Sequence, residues 1–148
     1  MLIGINPLLN ADVLHALRAM GHGDVLIVAD ANFPAETIAV ETTLGHLLRI
    51  DASTPEVVEA VLELMPLDSF VDDPVKAMAV VGAPDEIPEV RAEVAENLRG
   101  RGVSSEIGAI ERHRFYDEAR GAFAVIQTAE RRFYGCISLR KGVIAPDG

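Results

Sequence analysis

The sequence has few cysteines, aromatic residues or basic side chains, and it contains no long apolar run. Cys136 is the only cysteine among 148 residues, so an internal disulfide is impossible and a reducing compartment fits. The 13 Lys and Arg residues are outnumbered by 23 Asp and Glu residues, for a formal net charge of -10. Such a surface repels phosphate backbones, and no basic cluster offsets it, which argues against nucleic acid as a partner.

The amino terminus and the apolar segments give no sign of a membrane or a secretory route. The opening segment MLIGINPLLN has no lysine or arginine before its apolar residues and is interrupted by Pro7, unlike a signal peptide. No apolar run approaches the roughly 20 residues that a membrane-spanning helix needs. We therefore expect a cytoplasmic protein with no membrane partner.

Sequence signatures of bound cofactors are also missing. No strand pattern is followed by a glycine-rich phosphate loop. The four histidines lack metal-ligand spacing, such as two histidines four positions apart on one helix. No serine stands in a glycine elbow of the hydrolase type. We expect neither a metal nor a cofactor.

Helix and strand patterns alternate along most of the chain. Asn10 is a cap for a predicted helix that runs to about Met20. The segment VLIVA, residues 25–29, is apolar and rich in β-branched side chains, which is typical of a buried strand. Thr54 and Pro55 predict the start of another helix. Pro74 and Gly82 bound a second apolar strand pattern.

The carboxyl-terminal half continues the alternation. Pro88 opens an amphipathic helix that Gly100 closes, and a short helix is predicted between Arg112 and Arg120. AFAVIQTAE and YGCISLRKGVI then indicate two strands, joined as a hairpin or as a crossover. This order predicts an α/β fold, a single compact domain over residues 1–148 with a mostly parallel central sheet flanked by helices.

Polar groups stand beside the apolar strands at three places. His22 precedes the first strand and Asp30 follows it, Arg112 opens the short helix, and Tyr134 comes just before the last strand. Burying such groups is unfavourable unless they find partners. Ligands gather at strand ends in open α/β sheets, which favours a site near Asp30.

Each of these residues also has a purely structural interpretation. His22 would cap the carbonyl end of the preceding helix, and Asp30 would close a turn through its carboxylate. Arg112 would belong to a solvated face, and Tyr134 would pack across strands. Cys136 would be an inert core thiol.

Four segments together resemble the RbsD/FucU family, and most closely its fucose-type branch. They are, in order, MGHGD, ADANFP, RHRFYDEARGAFAV and AERRFYGCISLRKGVI. The resemblance implies a compact α/β subunit that assembles into a ring, commonly a decamer, with a monosaccharide bound near a subunit interface. It also implies interconversion of sugar anomers without a cofactor.

The resemblance carries roles to particular positions. His22 matches the family's proton donor, Asp30 its substrate-binding aspartate and Arg112 its binding arginine. Tyr134, Gly135 and Cys136 match a sugar-contacting tripeptide, and Tyr134 is a second candidate for the chemistry. Histidine suits such proton transfers because its ordinary pKa, about 6.5, lies near neutrality.

One departure from the family pattern leaves alternatives open. Position 136 is usually asparagine in the family, and a thiol is a weaker donor than an amide. A sugar-binding ring without catalysis is therefore an alternative. A pyranase that converts ribose between pyranose and furanose forms, the sister branch of the family, is another. All of these readings predict that His22, Asp30 and Arg112 share one site.

Overall fold

The helices and strands follow the local signals in the sequence. The computed structural model describes residues 1–104 and 106–148. Within them, the helices are α1 (Ala11–Ala19), α2 (Ala35–Ala39), α3 (Thr54–Leu62), α4 (Glu89–Gly100) and α5 (Arg112–Arg120). The strands are β1 (Val25–Ala29), β2 (Leu48–Arg49), β3 (Val75–Met78), β4 (Gly108–Ile110), β5 (Ala124–Gln127) and β6 (Ile137–Arg140).

Side-chain caps explain where several helices begin. The Asn10 side chain accepts from the Val13 amide at 3.1 Å and starts α1 as predicted. At α3 the cap is Ser53, one residue before the predicted position, in a reciprocal capping box with Glu56. Thr54 thereby lies inside the helix and its hydroxyl is free to bond elsewhere.

The strands form one sheet in the order β2-β5-β1-β6-β3-β4. All paired neighbours are parallel except β6, which runs antiparallel to β1 and β3. The predicted mostly parallel sheet is therefore confirmed. Because β5 and β6 lie on opposite sides of β1, their connection is a crossover and not a hairpin.

The apolar core lies on both faces of the sheet. Leu26 and Val28 of β1 pack with the helices α1, α3 and α4 on one face. Ile27 and Ala29 pack with α2 and α5 on the other face, as the alternation of side chains along a strand requires. The result is an α/β fold with helices flanking the sheet on both sides. In the part of the chain that the structure describes, no helix is both long and apolar enough to cross a membrane.

The crossover between β5 and β6 passes over the carboxyl end of β1. The Ala31 amide donates to the Glu130 carbonyl at 2.8 Å, and the Gly135 amide donates to Asp30 Oδ2 at 3.1 Å. This path places residues 134–136 beside Asp30. After this crossover, β6 runs antiparallel to β1 and ends near the residue at which β1 begins.

Candidate functional site

The loop before β1 presents His22 to solvent. The Gly21 amide donates to Asp24 Oδ2 at 2.7 Å, and the Gly23 amide donates to the Lys141 carbonyl at 2.8 Å. These bonds close the loop on both sides of the histidine, and 45% of the His22 side chain remains exposed. The backbone at His22 is therefore held in place, while the imidazole ring is accessible to solvent.

His22 is paired with a carboxylate that the sequence did not single out. Its Nε2 lies 3.1 Å from Asp68 Oδ1, and the Asp68 side chain is only 1% exposed. The amide of Phe70, the guanidinium of Arg140 and His22 together hold the pKa of Asp68 below its usual value. Asp68 is thus an ionised acceptor at neutral pH, so Nε2 carries a proton, while Nδ1 makes no hydrogen bond within the described residues.

Asp30 lies at the other end of β1 and ties two loops together. Its Oδ1 accepts from the amides of Asn32 and Phe33, both at 3.0 Å, and its Oδ2 accepts from Gly135. Asp30 Oδ1 therefore closes a turn, as the structural interpretation of this residue predicts. Within the described residues Oδ2 accepts the one bond from Gly135, so it keeps a lone pair for a further donor.

The backbone at Tyr134 and Gly135 is sterically constrained. Tyr134 has φ of 58°, in the left-handed region that non-glycine residues seldom occupy. A Cβ on Gly135 would lie 2.8 Å from Glu130 Cγ and 3.2 Å from Asp30 Cβ, so the close approach excludes a side chain. The Tyr134 Oη accepts from the Val81 amide at 3.1 Å. Strained backbone of this kind is concentrated at functional sites.

Cys136 forms part of the wall of the same region. Its Sγ accepts from the Asp30 amide at 3.4 Å. Burial, followed by the negative charge of Asp30, raises the pKa of the Cys136 thiol. The sulfur is therefore a neutral thiol that packs against the carboxylate loop, and it lacks the thiolate character of a nucleophile.

An open cavity of about 370 Å³ collects most of the predicted site residues. Asp30, Arg112, Tyr134 and Cys136 all line it, with Phe133 at its exposed side. Its volume lies in the range of about 300–1,000 Å³ that is typical of ligand clefts. One larger cavity, of about 500 Å³, contains none of the predicted residues, and another, of about 490 Å³, contains Arg112 alone among them. The site is therefore assigned to the smaller cavity.

Arg112 enters this cavity from the first turn of α5. The Glu111 side chain caps the helix by accepting from the amides of His113 and Arg114. The Arg112 guanidinium lies 5.9 Å from the centre of the Tyr116 ring, within reach of a cation–π contact. Among described residues it makes no hydrogen bond or ion pair, which leaves its donors available to a ligand.

A partly buried ionic network that the sequence did not indicate supports the loop 130–136. Glu130 is 4% exposed and accepts from Arg132 Nε at 2.9 Å, while Arg132 also bonds both carboxylate oxygens of Glu93 on α4. Arg132 is the main cause that lowers the pKa of Glu130. The Thr54 hydroxyl donates to the Gly135 carbonyl at 2.7 Å. Together these groups anchor the strained segment to α3 and α4.

Within one chain the structure does not bring His22 to the cavity. His22 precedes β1 and Asp30 follows it, and the four steps from Val25 to Ala29 alone span roughly 13 Å at about 3.3 Å per residue. Proton transfer needs heavy atoms at about 2.6–3.2 Å. The cavity and the pair of His22 with Asp68 are therefore two separate half-sites, one at each end of the strand.

The fold and the cleft define an α/β protein whose pocket places a carboxylate, a guanidinium and a phenol among apolar and aromatic side chains. The sequence model of the RbsD / FucU transport protein family matches residues 3–144. The chain belongs to the RbsD/FucU family, as its four motifs predict. Glu130 and Arg132 lie within the fourth motif, but no role was predicted for them, and Asp68 was not singled out because it contacts His22 across 46 positions of the chain.

Known relatives cover almost the whole molecule. The fucose mutarotase of Homo sapiens is 41% identical over 147 residues, which cover 96% of this chain and 94% of that protein. A solved structure of a protein proposed to bind sugars superposes with a TM-score of 0.94 at 48% identity, over 98% of this chain and 97% of that one. The fucose mutarotase of Streptococcus pneumoniae, solved in complex with L-fucose, has a TM-score of 0.87 at 36% identity, over 97% and 100% of the two chains.

Proposed function

We propose that this protein is a sugar mutarotase that acts on L-fucose or a closely related pyranose. The observation that carries the proposal is the convergence of Asp30, Arg112 and Tyr134 on one cavity of about 370 Å³. The similarity to fucose mutarotases over nearly the whole chain supports the same substrate class.

Mutarotation opens and recloses a cyclic hemiacetal. In the opening step a proton reaches the ring oxygen as the bond from that oxygen to the anomeric carbon breaks. A second group takes the proton of the anomeric hydroxyl as the carbonyl forms. Closure on the other face reverses both transfers, so no electron or proton is gained overall. The reaction therefore requires positioned acid and base groups and no redox cofactor.

The residues divide this work by their chemistry. In the opening step the Tyr134 hydroxyl gives its proton to the ring oxygen, and His22 Nδ1 takes the proton of the anomeric hydroxyl. On closure the protonated imidazole gives a proton to the new anomeric hydroxyl, which is the donor role that the family motif implies. Asp68 orients the imidazole by accepting from Nε2. Asp30 Oδ2 accepts from sugar hydroxyls, and the Arg112 guanidinium offers several donors in a fixed plane.

A second copy of the chain completes the site in this proposal. Phe70 is 73% exposed beside His22, with ring centres 5.5 Å apart, and Phe133 is 77% exposed at the cavity. Large apolar side chains at the margins of both half-sites favour association between copies. Contact between these two margins brings His22 of one copy toward the cavity of another. Because both margins belong to every chain, such contacts propagate from copy to copy and close into a ring when the rotation between copies allows it. The family resemblance implies that this ring is a decamer.

The proposal also includes a cytoplasmic location. Cys136, the only cysteine, is a buried free thiol. A chain that relies on no disulfide is compatible with a reducing compartment. The partner in this setting is a free monosaccharide.

Magnetisation-exchange NMR tests the activity directly. Anomer interconversion of L-fucose is expected to be faster with the protein than in buffer, and His22→Ala is expected to remove most of that excess, on the order of 10²-fold. His15→Ala is the matched control, because His15 is an exposed residue of α1 that neither lines the cavity nor bonds His22 or Asp68. An undiminished rate in the His22 variant would show that the imidazole has no part in the chemistry. Faster exchange of ribose than of fucose would instead favour the pyranase reading.

A sugar-binding ring without catalysis is the second candidate. The observation that favours it is the thiol of Cys136, because the family's usual amide would offer stronger hydrogen bonds to a sugar. Calorimetric binding of fucose together with exchange rates equal to those in buffer would establish this reading in place of the enzyme.

A further inference from the structure

A tight turn lies against the phenol of Tyr134. The Ala83 amide donates to the Val80 carbonyl at 3.1 Å, and Gly82 has φ of 79°. A glycine with positive φ at the third position defines a type II turn, in which Val81 is the second residue. The Val81 side chain is 62% exposed. Its specific contact is made by the backbone, because its amide donates to Tyr134 Oη at 3.1 Å.

We propose that the Val81 amide is a positioning group for Tyr134. This inference rests on the proposed function of Tyr134 in proton transfer. A tyrosine hydroxyl normally rotates to suit its partners. Since an N–H group already donates to Oη, the hydroxyl hydrogen turns away from Val81 and toward the cavity. The bound sugar therefore meets a donor of fixed direction.

The same amide also stabilises the form of Tyr134 that lacks its proton. Negative charge then resides on Oη, and hydrogen bonds to charged groups are stronger than neutral ones. A backbone amide needs no rearrangement to supply this bond, which is the property of a preorganised donor. The contribution is largest when charge is present on Oη. The amide thus acts on the chemical step more than on sugar binding.

The turn allows this amide to be deleted with little other change. Proline is favoured at the second position of a type II turn, and Val80 precedes it in an extended β-bridge, as a residue before proline prefers. Val81→Pro therefore retains the turn and removes the N–H group. Val81→Ala, which keeps the amide and shortens the exposed side chain, is the matched control.

We expect Val81→Pro to lower kcat about fivefold with KM changed less than about twofold, since the lost bond strengthens during reaction. Val81→Ala should match the wild type. In a Tyr134→Phe background the effect of Val81→Pro should disappear, because both changes remove one interaction. An equal fivefold loss in that background would mean that Val81 acts through the fold and would overturn the inference. So would a Val81→Pro protein with wild-type kcat.

An NMR measurement covers the case in which Val81→Pro does not fold. The Val81 amide proton is expected to shift upfield and to exchange faster with solvent in Tyr134→Phe than in the wild type, while the Ala83 amide stays unchanged. Identical Val81 signals would disprove the contact. A wild type without any mutarotase activity refutes the proposed function itself, whereas an active wild type with an unaffected Val81→Pro refutes only this inference.

Discussion

Placing the substitutions His22→Ala and Tyr134→Phe in separate copies tests whether each site is shared between chains. The two residues lie beyond opposite ends of β1, and the strand alone separates them by roughly 13 Å at about 3.3 Å per residue. No side-chain rotation within one chain closes that distance to the 3 Å or so that proton transfer needs. If both act in one reaction, they come from different copies.

Co-expression of the two variants with different affinity tags yields mixed assemblies. When the variants enter at random, about half of the contributed histidines and about half of the tyrosines are intact, so about a quarter of the sites are whole. Each variant alone should keep on the order of 1% of the wild-type rate. Mixed assemblies purified through both tags should therefore show about 25-fold more activity than either variant alone, measured as fucose anomer exchange by NMR.

A control pair distinguishes shared sites from a general effect of mixing. His22→Ala mixed with Asp68→Asn should give no recovery, because His22 and Asp68 form their 3.1 Å contact within one chain. Neither copy in that mixture carries an intact pair. If the His22 and Tyr134 mixture also stays at the level of the single variants, the shared-site reasoning is refuted.

Three further expectations concern the cavity and its support. Cys136→Asn should tighten fucose binding by about 0.5–1.5 kcal/mol in calorimetry through a stronger hydrogen bond, and unchanged affinity and rate would show that position 136 does not face the sugar. The pKa of Glu130 is lowered from 4.5 in the folded state, so its ionic bonds stabilise the fold above pH 4.5 and are lost as the pH falls through the lower folded value. In urea unfolding, the free energy of unfolding of Glu130→Gln should therefore fall less steeply with decreasing pH than that of the wild type. An equally steep fall would contradict this. Gly135→Ala should destabilise the fold by about 1–3 kcal/mol because its Cβ would overlap Glu130. The control Gly100→Ala should not, because a Cβ there meets open space at the end of α4. Equal stabilities of the two variants in thermal unfolding would refute the packing argument.

Local signals were enough to predict the longer helices and the central strand. Asn10 caps α1 as predicted, and α5 has the predicted limits, Arg112–Arg120. The strands β2 and β4 were not predicted. Both are edge strands of two or three residues, too short to show the alternation on which a sequence prediction depends. The reversed direction of β6 also lies outside local reach, since it follows from the path of residues 128–136 over the end of β1.

The candidate site was predictable in its chemistry and not in its geometry. The residues that line the cavity were found because polar groups stand next to strands and match family motifs. The partner of His22 was not found, because Asp68 is 46 positions away and its contact depends on the loop before β3. The prediction that His22, Asp30 and Arg112 share a site remains a proposal that requires a second copy.

Strand β6 links the two half-sites mechanically. It begins next to Cys136 in the cavity wall and ends at Arg140, whose Nε bonds Asp68 at 2.9 Å. A slip of one residue against β1 would exchange its two faces and would displace the pocket and the carboxylate behind the imidazole together. In a ring of shared sites, one such register shift would disable the pocket of its own chain. It would also disable the neighbouring pocket to which that chain contributes His22. Errors in this strand would therefore spread to a neighbour, while errors at the edge strands would stay local.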